Sequence, residues 1–215
     1  MIKPRALIFD WDNTLVDSFG TIHAALAETQ RIMGTEIWTL QQAKERVRHS
    51  LRDTFPITFG QQRWEEARDI FYAAFEKLHL DHLIALPGAE ETLRALSSHC
   101  LLAVVSNKTG RYLRSESKHL GWDGMFHRVV GATDCARDKP SPDPVLKALE
   151  ESGINPGPDV WFVGDTDIDL ECAHNSGCVA VLVRQTVPLP GEFGKAPPDF
   201  HVGEISQLKA LALNQ

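Results

Sequence analysis

No stretch of this sequence approaches the roughly 20 consecutive apolar residues that a membrane-crossing helix needs. The start, Met1 to Arg5, is basic, but the apolar run after it is far too short for an export signal. The expectation is a soluble protein that stays in the cytoplasm. Cysteine is scarce: Cys100, Cys135, Cys172 and Cys178 form no C-x-x-C pair and no zinc spacing with histidine. They read as reduced thiols. Positive charge is in deficit as well, with 22 Lys and Arg against 29 Asp and Glu and a formal net charge of -7. That balance argues against nucleic acid or an anionic membrane as the main partner. Internal repeats and low-complexity segments are lacking too.

What is present suits a globular enzyme-sized chain. The 215 residues are 43% hydrophobic and 24% charged, enough for one large domain or a domain carrying an insertion. Leu7-Ile8-Phe9 reads as a buried strand running straight into Asp10-Trp11-Asp12. Residues two apart on a strand share a side, so Asp10 and Asp12 are expected to face one crevice and Trp11 the core. The alternative is that this stretch only ends the strand, with Asp12 or Asn13 capping the next helix.

From Thr21 to Met33 the apolar residues recur with helical period, and Gly34 follows as a stop. Thr39 can cap a second helix reaching Val47, and a third amphipathic run covers about 61–80. Helices without an intervening strand do not make a βαβ unit, so 17–85 reads as an inserted helical subdomain within a core of 1–16 and 86–215. His79 and His82 lie one turn apart but read as solvated histidines at a helix end. Beyond 86 the pattern alternates: strands near 101–105, 129–131, 160–163 and 179–183, with helices between them. A Pro- and Gly-rich loop follows at 188–198, then a candidate edge strand at 199–202 and a last helix. The fold class is therefore α/β, a Rossmann-like parallel sheet with helices on both faces plus the inserted all-helical unit.

Polar residues gather at the ends of the predicted strands: Asp10 and Asp12, Ser106 and Asn107, Asp165 and Asp169, with Lys139 in a loop. In a parallel sheet these ends share one edge, so residues distant in sequence converge there. Carboxylates crowded in one crevice repel, which implies a cation, and all-oxygen ligands point to Mg²⁺. With Asp12 protonated, three negative charges would be balanced by one divalent ion and Lys139. Asp165-Thr166-Asp167-Ile168-Asp169 begins like a calcium-binding EF-hand loop, but Leu170 and Ser176 stand where that loop needs Gly and Glu. Asp167 reads as a plain loop carboxylate, Lys108 as facing solvent or the hinge of the insertion, and Trp11 and Trp161 as core.

These motifs together resemble the haloacid dehalogenase-like hydrolases, most closely the phosphoglycolate phosphatase-like members with a helical cap inserted after the first strand. Asp10-Trp11-Asp12-Asn13-Thr14-Leu15 is similar to the first motif of that family and Ser106-Asn107-Lys108 to the second. Lys139-Pro140 is similar to the third, and Gly164-Asp165-Thr166 with Asp169 to the fourth. The resemblance implies a phosphatase acting on a small phosphorylated metabolite. Asp10 would be the nucleophile that forms an aspartyl-phosphate, and Asp12 the general acid and then base. Asp10, the backbone carbonyl of Asp12, and Asp165 would hold Mg²⁺, with Asp169 nearby. Ser106, Asn107 and Lys139 would bind the phosphoryl oxygens, and Asn13 and Thr14 would fix the loop.

Other activities fit less well. A dehalogenase lacks an acid at the position of Asp12, and a phosphonate hydrolase needs a cap lysine that neither Lys44 nor Lys77 matches. A phosphomutase would share every core residue. A non-catalytic phospho-ligand binding module would be expected to have lost Asp10 or Asp12, and both are present. Relatives carry a glycine near the stretch that is here 47–52, and its absence weakens the transfer of phosphoglycolate as substrate. Arg48, His49 and Arg52 form a basic cluster there, either a solvated helix end or a grip on the far end of a substrate.

Overall fold

The computed structural model describes residues 2–47 and 49–213. The first strand, β1 (Ala6–Phe9), is buried along its whole length, and its side chains alternate between two cores. Leu7 and Phe9 join the core on one side, Ala6 and Ile8 the core on the other. This is what an apolar run does at the centre of a sheet covered on both faces.

After β1 the chain forms a two-residue strand, β2 (Val16–Asp17), and enters four helices: α1 (Phe19–Met33), α2 (Leu40–Arg46), α3 (Leu51–Phe59) and α4 (Trp64–Phe75). It returns through β3 (Ile84–Ala85), which pairs antiparallel with β2. Entry and exit of the helical segment are thus tied together. Gly34 ends α1 at φ +70°, a left-handed conformation that glycine adopts without a Cβ penalty. Thr39 caps α2 with a reciprocal pair: its hydroxyl accepts the Gln42 N–H, and its own N–H donates to the Gln42 side chain.

The helical segment departs from the expectation in two respects. Its described residues form four helices rather than three, and the last begins at Trp64 and ends at Phe75 rather than spanning 61–80. The unforeseen helix is α3, whose interior holds Pro56, a residue that removes a helical hydrogen bond and ordinarily argues against a helix. Tertiary packing overrides it: Phe55 and Phe59, one turn apart, are both buried with Phe71 and Phe75 in a third core.

The rest of the chain alternates. It runs α5 (Ala89–Ser97), β4 (Leu101–Thr109), α6 (Gly110–His119), β5 (Arg128–Ala132), α7 (Asp143–Leu149), β6 (Val160–Gly164), α8 (Asp167–Asn175), β7 (Val179–Val183), β8 (Phe200–Val202) and α9 (Leu208–Leu213). The main sheet has the order β5-β4-β1-β6-β7-β8, and every pairing in it is parallel. Helices α5, α6 and α9 pack on one face, α7 and α8 on the other. Trp11 and Trp161 are fully buried, as expected of core residues.

Candidate active site

The chain leaves β1 toward β4 on one side and β6 on the other, so β1 is the point where the strand order reverses. Such a switch point opens a crevice beyond the carboxyl ends of the strands. Asp10 extends the sheet by one residue, its N–H donating to Val163 O at 2.9 Å. The chain then turns back: Asn13 adopts φ +60° and donates its N–H to Val16 O. Thr14 is fully buried, and its hydroxyl donates to Asp165 Oδ1 at 3.3 Å. The expected loop-fixing role of Asn13 and Thr14 has these contacts behind it.

Lys139 lies at the centre of the acidic cluster. Its Nζ is 2.6 Å from Asp10 Oδ1 and 2.7 Å from Asp169 Oδ1, and its side chain is nearly inaccessible. Asn107 holds the lysine in place through its backbone, accepting the Lys139 N–H at 3.0 Å and donating to Lys139 O at 3.3 Å. Asp169 is fixed from its other oxygen, which accepts both the N–H and the hydroxyl of Thr166 at the start of α8. A Cβ on Gly164 would sit 2.3 Å from Asp169 Cγ, so only glycine lets this carboxylate approach the sheet end.

Carboxylate oxygens of Asp10, Asp165 and Asp169 lie within 4.8 Å of one another. Burial pushes the Asp10 carboxyl up to about 7, against the pull of Lys139 and with the help of Asp169 and Asp12. Burial, with Asp169 and Asp10 beside it, likewise drives Asp165 well above the carboxylate range. Burial alone would lower Lys139, but the two carboxylates outweigh it and its pKa rises. A compact, all-oxygen group of this kind, with more negative charge than one ammonium balances, fits a hard divalent cation.

Asp12 is placed differently. Its carboxylate is not part of that group; Oδ1 accepts Lys108 Nζ at 2.7 Å and the Ser18 hydroxyl. Of the two readings of Lys108, solvent fails: its side chain is 5% exposed and also meets Glu116 Oε2 at 2.6 Å. His79 is not solvated either; it is 5% exposed, with Nδ1 3.0 Å from Glu116 Oε1. In both cases a buried carboxylate on α6 draws the residue inward, 8 positions away for Lys108 and 37 for His79. The signal for Glu116 was its register: it lies one turn beyond Leu113 on the buried face of α6, where a charge is out of place unless paired.

Ser106 is buried, its hydroxyl accepting the Lys108 N–H. With Asn107, Lys139, Asp10, Asp12 and Asp165 it borders a cavity of about 550 Å³ between the sheet end and the inserted helices. The helical segment contributes Phe19, Ile22, Tyr72, Lys44 and His49 to its wall. Of the basic cluster, His49 therefore reaches the site. Arg52 does not: its guanidinium pairs with Asp138 at 2.6 Å and lies in a separate open groove along Asp138 to Pro142. Arg48 lies outside the described residues. Among the described residues no helix is long and apolar enough to cross a membrane.

An α/β sheet with an insertion behind its first strand and acid-rich strand ends defines a class of hydrolase. The chain matches the haloacid dehalogenase-like hydrolase family over residues 7–183, and it belongs to that family. It is 31% identical over 212 residues to a phosphoglycolate phosphatase of Aquifex aeolicus, covering 98% of this chain and 97% of the relative. A pyrophosphatase of Listeria innocua is 27% identical, with 99% and 98% covered. In structure the chain is similar to a haloacid dehalogenase-like hydrolase of Streptococcus pneumoniae, with a TM-score of 0.83, 23% identity, and 100% and 99% covered.

Proposed function

We propose that the protein is a Mg²⁺-dependent phosphatase that hydrolyses small phosphorylated metabolites through an aspartyl-phosphate on Asp10, with 17–85 serving as the cap over a core of 1–16 and 86–215. The observation that carries this reading is the separation of the two carboxylates of the first motif. Asp10 sits in the cluster with Lys139, while Asp12, two residues on, is held apart from it by Lys108. One is placed to attack and the other to move a proton.

In the first step a carboxylate oxygen of Asp10 attacks phosphorus, the bond to the leaving oxygen breaks, and that oxygen takes a proton from Asp12. In the second step water gives a proton to Asp12 and attacks the same phosphorus. The bond to Asp10 then breaks and phosphate leaves. Ser106, the Asn107 amide and the Lys139 ammonium bind the phosphoryl oxygens; Asn107 in addition fixes Lys139. Asp10, the carbonyl of Asp12 and Asp165 would hold the metal, with Asp169 beside them. The ion would supply a charge that lets a phosphate dianion approach the carboxylates.

The relatives' names place phosphoglycolate and pyrophosphate in the substrate panel, beside other metabolite phosphates and 4-nitrophenyl phosphate. Release of phosphate should require Mg²⁺ and stop with a chelator; full activity after exhaustive chelation would contradict the metal assignment. Asp10→Asn should fold normally and lose turnover, since amide and carboxylate are nearly isosteric. Turnover within tenfold of the wild type would sink Asp10 as nucleophile. Phosphoryl transfer between sugars without net phosphate release would identify a phosphomutase instead.

A further inference from the structure

Behind Asp12 lies a buried chain of charges that the proposed reaction does not by itself use. Lys108 Nζ bridges Asp12 Oδ1 at 2.7 Å and Glu116 Oε2 at 2.6 Å. Trp11 Nε1 donates to the same Glu116 oxygen at 2.7 Å. The other Glu116 oxygen meets His79 Nδ1, and the carboxylate is fully buried. His79 belongs to the inserted segment, stacked on Phe75 and edge-on to Tyr112 of α6. Burying such a lysine and glutamate is costly, and apolar residues of similar size often pack as well or better. The charges therefore point to a purpose beyond packing.

That purpose follows from where the contacts fall. Both protein contacts of the Asp12 carboxylate are on Oδ1, and Oδ2 has no hydrogen-bond partner among the described residues. A carboxylate gripped at one oxygen holds the other in a fixed direction, and Asp12 borders the cavity. We infer that Lys108 is a positioning residue that aims Asp12 Oδ2 at the leaving-group oxygen, and that Glu116 is the support that holds Lys108 in reach. Because Glu116 also holds His79, the support of the acid and the docking of the inserted segment meet on one side chain. This inference rests on the reading of Asp12 as the acid.

The test is the dependence of kcat/KM on the leaving group, measured with Mg²⁺ over phosphate monoesters from 4-nitrophenyl to alkyl. This parameter reports steps up to the departure of the leaving group, so slow loss of phosphate from the enzyme does not mask it. A general acid contributes roughly 10²–10⁴-fold where the leaving group needs a proton. Lys108→Met should therefore lose about 100-fold or more on an alkyl ester and less than about threefold on 4-nitrophenyl phosphate. Lys108→Arg, which still reaches both carboxylates, should recover much of the loss. Combined with Asp12→Asn, Lys108→Met should add little further loss. Glu116→Gln keeps the shape and removes the charge; it should give the same pattern at about a tenth of the size, and it carries the test if Lys108→Met does not fold.

Equal losses on every ester, or none, would overturn the positioning role and leave a structural ion pair. The control separates two kinds of failure. If Asp12→Asn steepens the leaving-group dependence and the Lys108 and Glu116 variants do not, the positioning role falls alone. If Asp12→Asn does not steepen it, Asp12 is not the acid and this inference falls with that assignment.

Discussion

Two buried lysines flank the first-motif loop, each held between two carboxylates, and they differ in what stands behind them. Lys139 joins Asp10 to Asp169, and both partners belong to the acidic cluster with Asp165. Lys108 joins Asp12, at the border of the cavity, to Glu116, which lies outside that cluster and is fully buried beside Trp11 and His79. Lys139 is held by loop contacts from Asn107 and thus by β4. Lys108 is held by a helix and, through His79, by the inserted segment. The same salt-bridge chemistry can therefore serve a reacting group directly or fix the orientation of one. What decides is whether the second carboxylate belongs to the acidic cluster around Asp10.

The largest effect is expected where the lysine of the acidic cluster is removed. Lys139→Met should lower kcat/KM on every ester alike, by roughly the 10²–10³-fold that loss of one preorganised charge-stabilising donor costs. It should also destabilise the fold, since breaking a buried pair leaves carboxylates uncompensated, at a cost of about 3–5 kcal/mol. Kinetics over the leaving-group series together with urea unfolding would check both. A loss confined to poor leaving groups would erase the distinction between the two lysines.

Asp10, Ser106 and Asp165 were legible in the sequence because each stands at the end of an apolar run, and parallel strands deliver their ends to one edge. All three sit where such a reading places them. The Lys108 side was not legible. Glu116 meets Trp11 across 105 positions and His79 across 37, and no periodicity encodes such contacts. Lysine and histidine near a strand or helix end read as solvated unless a buried partner is known. The inserted segment divides the same way: Gly34 and the Thr39 cap were local signals and appear as read, whereas α3 was hidden by Pro56 and is recovered only through the packing of Phe55 and Phe59.

A middle-sized effect concerns stability against pH at the Lys108 side. Burial alone would raise the Glu116 pKa, but hydrogen bonds from His79, Lys108 and Trp11 outweigh it and hold the carboxyl below its ordinary 4.5. A carboxylate lowered in the folded state stabilises the fold above its unfolded pKa, and that contribution is lost as pH falls through the folded value. The difference in unfolding free energy between wild type and Glu116→Gln should thus be full above pH 4.5 and shrink as the solution is acidified further. Its size at neutral pH should be about 2 kcal/mol, within the range for hydrogen bonds to a charged group. Urea unfolding at intervals from pH 7 to 3 would measure it; a difference that stays constant over that range would mean the glutamate is not held as an anion.

The smallest effect is expected at Arg52, which sets a third ion pair against the other two. Its side chain is 30% exposed, while its partner Asp138 is 2% exposed and sits next to Lys139 in the chain. Asp138 Oδ1 also accepts the Thr133 N–H, so the carboxylate keeps one hydrogen bond when the arginine is lost. The guanidinium is further committed to Cys135 O, at 3.4 Å. An arginine so engaged is not free to grip the far end of a substrate, and it does not border the cavity of Asp10. Arg52→Ala should leave kcat/KM within about threefold on both an anionic metabolite phosphate and 4-nitrophenyl phosphate, far below the roughly 1.5–3 kcal/mol that loss of a charged hydrogen bond to substrate would cost. Its cost should appear in the melting temperature. A half-exposed pair is worth about 1 kcal/mol, and a chain of this length shifts by about 2–4 °C per kcal/mol. Parallel kinetics and thermal melts of this one variant decide the matter: a selective loss on the anionic metabolite would bring Arg52 to the substrate when the helical segment closes, and a fall in melting temperature alone would keep it as a tie between that segment and the Lys139 loop.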